Sequence, residues 1–409
     1  MSMTATKLLM VILGFIVVIL DVVATHNTFT APFPGLNDFM SRWEGARSYW
    51  IDGLNPYGEQ ASLNIQQRIY GRPVREGEDP GYFAYPFYTV FLVWPLVYIP
   101  YAWASAIWMV TLEICLIGAL LLLLDVFQWR PQPWLLALLV IWTLIAYFPS
   151  RGLILGQPGL LVYFLEVVAL WALVKERTTL AGIALAVSTI KPQMGFLFIP
   201  FLLLWGVYKR RWPFIGSFLL TFGILVGASF ALQPSWLADW LNQVAVYTSY
   251  TALGSPVWII TQYYLGLGAA GEWAVNLIFY LLVVWSWYKL FIRRMDERFL
   301  WTAALTLTVT HLVATRTATP HYVVFMFPLV FYLGEIARRD RRSGSRLVAV
   351  ILAALLVIPW LHALLTVQAK FEHPTVYLPA PFITLLLLWV TRHLWWTSER
   401  IEQHSPLMR

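Results

Sequence analysis

Long, uninterrupted apolar runs recur along nearly the whole chain, and they restrict it to one kind of fold. In hydrocarbon a backbone has no water to bond with, so only helices and closed barrels satisfy their own N–H and C=O groups. Barrel strands alternate apolar and polar residues, whereas these runs are continuous, which selects helices. Hydrophobic residues make up 59% of the sequence and charged residues 12%, against about 45–50% and about 25% in soluble domains. The reading is an all-α polytopic membrane protein, one integral membrane domain over residues 1–409. The single Cys115 lies inside an apolar run and excludes an internal disulfide framework.

Against a need for roughly 17–25 residues per crossing, helices are expected near 8–24, 103–124, 133–149, 157–174, 178–190 and 193–208. Six more follow near 213–232, 270–292, 299–315, 321–337, 346–365 and 377–396, which makes about twelve transmembrane helices. The run 87–99 is short and interrupted by Pro95, so it reads as a dipping segment at the end of a large first loop, residues 25–102. Residues 397–409 form a cytoplasmic tail.

With the N-terminus inside, 19 of the 28 Lys and Arg residues fall on the cytoplasmic side, including Lys209, Arg210, Arg211, Arg338, Arg339, Arg342 and Arg346. That asymmetry orients the chain and supports an even number of crossings. The net charge of +7 is then a topology signal and not a sign of nucleic-acid binding. The first helix resembles a signal-peptide core, but Asp21 and His26 follow it in place of a cleavage site, so it is expected to remain as an anchor.

The first loop carries most of the information about function. Between Asn27 and Tyr85 it holds Asp38, Arg42, Glu44, Arg47, Asp52, Glu59, Arg68, Arg72, Arg75, Glu76, Glu78 and Asp79 among many aromatics. Loops of this length are functional or disordered, and the aromatics argue against disorder. Asn37 or Asp38 is placed to cap a helix of about 39–51 that stops at Gly53 before Pro56. Phe39, Trp43, Ala46 and Trp50 form one apolar stripe on it, as in an amphipathic helix lying in the membrane interface. Asp38 therefore has two readings, a helix cap or a functional carboxylate.

Several ionisable groups fall near the outward ends of apolar runs. Lys191 follows a run too short to cross a roughly 30 Å core and precedes Pro192, so it is expected below the surface. An ammonium there has a partner or a task. Arg316 and His321 flank a turn on the same side, and Arg151 opens a segment that contains Gln157. Snorkelling at helix ends accounts for any one of these, while the four together suggest an anion site. His362 and His373 read as ordinary loop or helix-end residues. The Glu76-Gly77-Glu78-Asp79 run reads as a solvated acidic turn, and neither a metal nor a cofactor is expected.

Taken in order, Asp38-Phe39, Ala46-Arg47, Gly53, Asn55-Pro56-Tyr57, Tyr85-Pro86 and Trp94-Pro95-Leu96 resemble the N-terminal signature of glycosyltransferase family 87. Gly156-Gln157, the stretch from Ala181-Gly182 through Lys191 to Arg210-Arg211-Trp212, and His321-Tyr322 with Pro328 fit the same family. The chain departs from it at Phe87, where a second proline is usual, and at Trp43, where a tyrosine is usual. The resemblance implies a GT-C fold and a hexosyltransferase using a polyprenyl-phosphate sugar, mannose in this family, at the outer face of the plasma membrane. It implies Asp38 as general base, with Lys191, His321, Arg316 and Arg151 holding the donor phosphate. Gln157, Tyr57 and Tyr85 would then contact substrate, and the acceptor would be a lipid or a glycan. A transporter or flippase of lipid-linked sugars, or a surface-polysaccharide polymerase or ligase, remains the alternative.

Overall fold

The computed structural model describes residues 3–35, 37–250, 254–315, 317, 319–340, 342–367 and 372–396. Among these residues every regular element is helical. The chain opens with α1 (Met3–Thr25), then α2 (Phe39–Trp50), α3 (Glu59–Tyr70), α4 (Thr89–Val93) and α5 (Tyr101–Val126). It continues through α6 (Pro133–Ile145), α7 (Tyr147–Ile154), α8 (Gly159–Val174), α9 (Thr178–Ser188) and α10 (Pro192–Gly195). Next come α11 (Phe198–Tyr208), α12 (Trp212–Leu232), α13 (Trp236–Tyr250), α14 (Pro256–Trp258) and α15 (Gly268–Phe291). The chain closes with α16 (Phe299–Val313), α17 (Met326–Arg339), α18 (Ser343–Thr366), α19 (Pro379–Val390) and α20 (Arg392–Trp395).

Each of the twelve apolar runs is occupied by helix, but several are broken. Among the described residues, six helical stretches are long and apolar enough to cross a membrane: Lys7–Thr30, Tyr101–Val126, Trp212–Leu232, Gly268–Phe291, Thr319–Arg339 and Ser343–Thr366. The pair α6 and α7, bent by 51° at Ala146, makes a seventh if taken as one span. Apolar helices such as α8, α9 and α11 fall short of that length. Hydropathy merges helix and turn into one run, so the break at Ala146 and the break between α10 and α11 are invisible to it. The run 87–99 folds as α4 followed by the 3-10 turn Trp94–Leu96, both too short for a helical crossing.

Packing divides the chain into two compact units. The first comprises Met1–Cys115, Leu153–Pro158 and Leu225–Ala252. Its α1 exposes Leu8, Val11, Phe15, Val17 and Leu20 on every face, as suits a helix surrounded by lipid. α1 is fastened to α5 at three points. Thr30 Oγ1 donates to the Ala102 carbonyl at 2.7 Å. The His26 ring stacks on Trp103 at 3.7 Å, and the Asp21 and Glu113 carboxyls hydrogen-bond to each other. The apolar stripe of α2 does not face lipid as its pattern suggests. Phe39, Trp43 and Ala46 are buried in protein, Phe39 stacks on Trp108 at 4.8 Å, and Trp43 Nε1 donates to the Leu96 carbonyl at 2.8 Å. A helix burying its stripe in α5 and a helix burying it in lipid share one sequence pattern.

On the polar side of α2, Glu44 is buried and ion-paired with Arg68 and, at 3.6 Å, with Arg47. Burial pushes its carboxyl up, and the two guanidiniums oppose that shift. α13, which the hydropathy pattern does not single out, is tied to this loop by polar contacts. Asp239 accepts from Asn55 Nδ2 at 2.9 Å, and Gln243 Nε2 donates to the Tyr57 carbonyl at 3.2 Å.

The second unit holds Leu116–Gly152, Gly159–Ile224 and Leu253–Arg409. Its axis is α16, buried along almost its whole length and packed against α10, α11, α14, α15 and α19. Two buried threonines of α16 return their hydroxyls to the preceding turn, Thr308 to Ala304 and Thr310 to Thr306, both at 2.8 Å. That satisfies the hydroxyls without any external partner. Aromatic stacking closes the ends, Trp205 on Phe299 at 4.2 Å and Phe331 on Trp395 at 3.7 Å.

Candidate functional site

Asp38 stands at the N-cap position of α2 but its carboxylate makes no cap bond. The preceding residue does that work: Asn37 Oδ1 accepts from the Phe39 N–H at 2.8 Å. Asx side chains two residues before a free N–H form such turns readily. The Asp38 backbone is pinned separately, its N–H donating to the Leu155 carbonyl at 2.9 Å. With capping done by Asn37, the Asp38 carboxylate instead accepts a hydrogen bond from Gln157 Nε2.

Gly156 makes this approach possible. Its φ of +57° is left-handed, and a Cβ there would stand 2.1 Å from Asn37 Oδ1. Its carbonyl accepts from Trp108 Nε1 at 2.8 Å. Tyr101 OH donates to the Asn37 carbonyl at 3.4 Å and lies within electrostatic reach of Asp38 and Arg42.

Arg42, one helical turn after Asp38, donates to the Asp38 carbonyl and to Ser41 Oγ at 2.9 Å. Its other terminal nitrogen reaches Tyr85 OH at 2.9 Å, and the guanidinium lies 4.4 Å from the centre of the Tyr85 ring. Tyr57 OH donates to the Tyr85 carbonyl at 2.7 Å, and burial pushes its phenol well above the usual range, so it is a neutral donor. The structure therefore brings together four residues singled out from sequence, Asp38, Gln157, Tyr57 and Tyr85. Arg42, Asn37 and Gly156 complete the group. Only Asn37 was foreseen in its structural role; the i, i+4 spacing of Asp38 and Arg42 was the available signal for the other side chain.

A second group lies within the second unit. α9 stops at Ser188 because the residue before a proline is steered out of the α region, and Lys191 is accordingly extended at φ −131°, ψ 78°. Lys191 is buried, 4% exposed. The side chains of Lys191, Met194 and His321 meet at Gly159, the first residue of α8. A Cβ on Gly159 would lie 3.1 Å from the His321 ring, 3.1 Å from Met194 Sδ and 3.6 Å from Lys191 Nζ. His321 is itself buried on the 3-10 segment Thr319–Phe325. Lys191 also lies within electrostatic reach of His311 on α16.

Arg151 stands on α7, four residues after Tyr147 and close enough to act on its phenol. Arg316 lies outside the described residues. In the first loop, Glu78 is taken up by both terminal nitrogens of Arg72, at 2.8 and 2.7 Å, and by the Arg75 N–H at 2.9 Å. Those bonds hold its carboxyl down at about 2.

The first group is a carboxylate presented by an amide, with a guanidinium one turn away, a set able to accept a proton from a hydroxyl. The second places a lysine and a histidine at a helix N-terminus, where unsatisfied N–H groups and the helix dipole favour an anion. Gln157 of the first group and Gly159 of the second are separated in sequence by Pro158 alone. No curated protein and no solved structure matches the chain. The model of glycosyltransferase family 87 matches residues 83–320, a segment that contains Tyr85, Arg151, Gln157 and Lys191 and leaves Asp38, Tyr57 and His321 outside it. That match covers more than half of the 409 residues, and the chain belongs to glycosyltransferase family 87.

Proposed function

We propose that this membrane glycosyltransferase moves mannose from a polyprenyl-phosphate donor to a lipid or glycan acceptor at the outer face of the plasma membrane. In this reading the chain makes twelve crossings of a GT-C fold, with loop 25–102 and the turn at residues 316–321 facing outward. Asp38 is the general base. It takes the proton of the acceptor hydroxyl as that oxygen bonds to the anomeric carbon, and the bond from that carbon to the phosphate oxygen breaks. The bonding pair leaves with the polyprenyl phosphate, and a single displacement inverts the configuration.

The observation that carries the reading is the division of labour between Asn37 and Asp38: the asparagine caps α2, which leaves the aspartate carboxylate to Gln157. Gln157 would orient that carboxylate, with Tyr57 and Tyr85 lining the substrate side. Lys191 and His321, at the N-terminus of α8, would meet the donor phosphate, whose growing negative charge needs fixed positive groups. Arg151 and Arg316 would be the further members of that basic set.

The test is Asp38→Asn, assayed with labelled polyprenyl-phosphate mannose and membranes from cells that express the protein. Asparagine keeps the size and can still accept from Gln157, but it cannot take a proton. Transfer should fall by about 10²-fold or more while the protein folds and retains the lipid donor. Near-normal transfer by Asp38→Asn would remove Asp38 as base. Unchanged donor retention in Lys191→Met would remove the phosphate assignment.

A further inference from the structure

Glu372 is a carboxylate that the proposed reaction does not use, yet it joins two segments that carry proposed phosphate ligands. It lies in the connection between α18 and α19. Tyr147 OH donates to its Oε1 and Thr319 Oγ1 to its Oε2, so each oxygen takes a hydroxyl from a different part of the chain. Thr319 opens the 3-10 segment and stands two residues before His321. Tyr147 opens α7 and stands one turn before Arg151.

The connection around Glu372 is itself braced. His373 Nδ1 accepts from the Thr375 N–H at 3.4 Å, and His362 Nε2 and Thr375 Oγ1 share a hydrogen bond of 2.8 Å. Tyr377 packs against Tyr322 with ring centres 6.2 Å apart, and Tyr147 meets Trp360 edge-on at 5.0 Å. The carboxylate is therefore a fixed clamp and not a loose surface group.

A 3-10 segment has poorer hydrogen-bond geometry than an α-helix and does not hold its own position well. The seven residues Thr319–Phe325 are buried and packed against α8, α16, α17 and α19, and Glu372 adds a polar anchor at Thr319. We infer that Glu372 is a positioning residue, which sets His321 through Thr319 and Arg151 through Tyr147 for an isoprenoid phosphate. This rests on the phosphate reading given above. Groups that orient a ligand-bearing side chain matter because small displacements are costly: partners of this kind are worth on the order of 10- to 100-fold in affinity or rate.

The experiment measures binding of farnesyl phosphate to the purified full chain in detergent, with farnesol as the probe lacking phosphate. Glu372→Ala should raise the Kd for farnesyl phosphate by about 10-fold or more and leave farnesol binding unchanged. Glu372→Gln, whose amide accepts from one hydroxyl and donates to the other, should restore most of the affinity. In a His321→Ala background the same alanine change should add much less than it does alone, because coupled residues are non-additive. Loss of both probes in Glu372→Ala together with no rescue by glutamine would show a folding role and overturn the inference. So would full farnesyl phosphate affinity in Glu372→Ala when His321→Ala lowers it. If His321→Ala and Lys191→Met both bind farnesyl phosphate normally, the phosphate reading itself fails, which is a separate outcome.

Discussion

Gly156→Ala is the substitution that most directly tests how Asp38 is presented. Two separable costs follow from the geometry. A left-handed φ of +57° costs an L-residue about 1–2 kcal/mol. The new methyl would also stand 2.1 Å from Asn37 Oδ1 and 2.6 Å from Asn37 Nδ2, so the amide must move. Moving it breaks the cap of α2, worth about 1 kcal/mol, and overpacks a buried contact at about 1–3 kcal/mol. The sum is about 3–6 kcal/mol. Gly53→Ala separates the two costs, because Gly53 has φ +66° with nothing within 4 Å of its Cβ position, so only the backbone cost of about 1–2 kcal/mol applies. Gly227→Ala, inside α12 with open space around it, should be neutral or stabilising by up to about 1 kcal/mol. Equilibrium unfolding in detergent micelles, with transfer activity read on the same samples, gives the comparison. Gly156→Ala should be the least stable of the three and should lose transfer. If it costs no more than Gly53→Ala, the Asn37 contact does not organise Asp38 and the reasoning fails.

Asn37→Ala should destabilise the chain by about 1 kcal/mol, the worth of an N-terminal cap, and equal stability to the parent in the same unfolding assay would reassign the cap. The turn at residues 72–79 should follow the charge of Glu78. Its carboxyl is held down at about 2, so the ion pair contributes fully above the ordinary carboxylate range and is lost as pH falls through about 2. Protease protection of that turn should therefore persist to about pH 4 and disappear near pH 2, whereas Arg72→Gln should lower protection at neutral pH and flatten the profile. For topology, the excess of Lys and Arg around Arg338 and Arg346 predicts a cytoplasmic location for that connection. A cysteine at position 340, in a chain with Cys115 removed, should resist an impermeant thiol reagent added to intact cells. Labelling from outside would invert the orientation.

Much of the candidate site was legible because it depends on residue type and spacing. Asp38 was identifiable beside the start of α2, and Lys191 was identifiable because an apolar run ended too early and a proline followed. What spacing could not distinguish was which of Asn37 and Asp38 caps the helix. Both residues are good caps, and the choice is made by Gln157 and Gly156, more than a hundred positions away. The significance of Arg42 comes from Tyr85, a residue 43 positions on, which spacing along α2 does not show. Glu372 carried no local signal at all, because Tyr147 and Thr319 reach it from 225 and 53 residues away.

By itself the sequence determined that the chain is helical, apolar and membrane-embedded, since no other backbone arrangement satisfies its hydrogen bonds in hydrocarbon. It also located the twelve apolar runs, because apolar composition is a local property of consecutive residues. Tertiary structure alone decided where the runs break, as at Ala146, where backbone conformation changes without any change in hydropathy. It decided that the α2 stripe is covered by protein, because periodicity records that a face is apolar and not what meets it. It also decided which polar side chains converge, because a hydrogen bond between distant residues depends on the path of the chain between them.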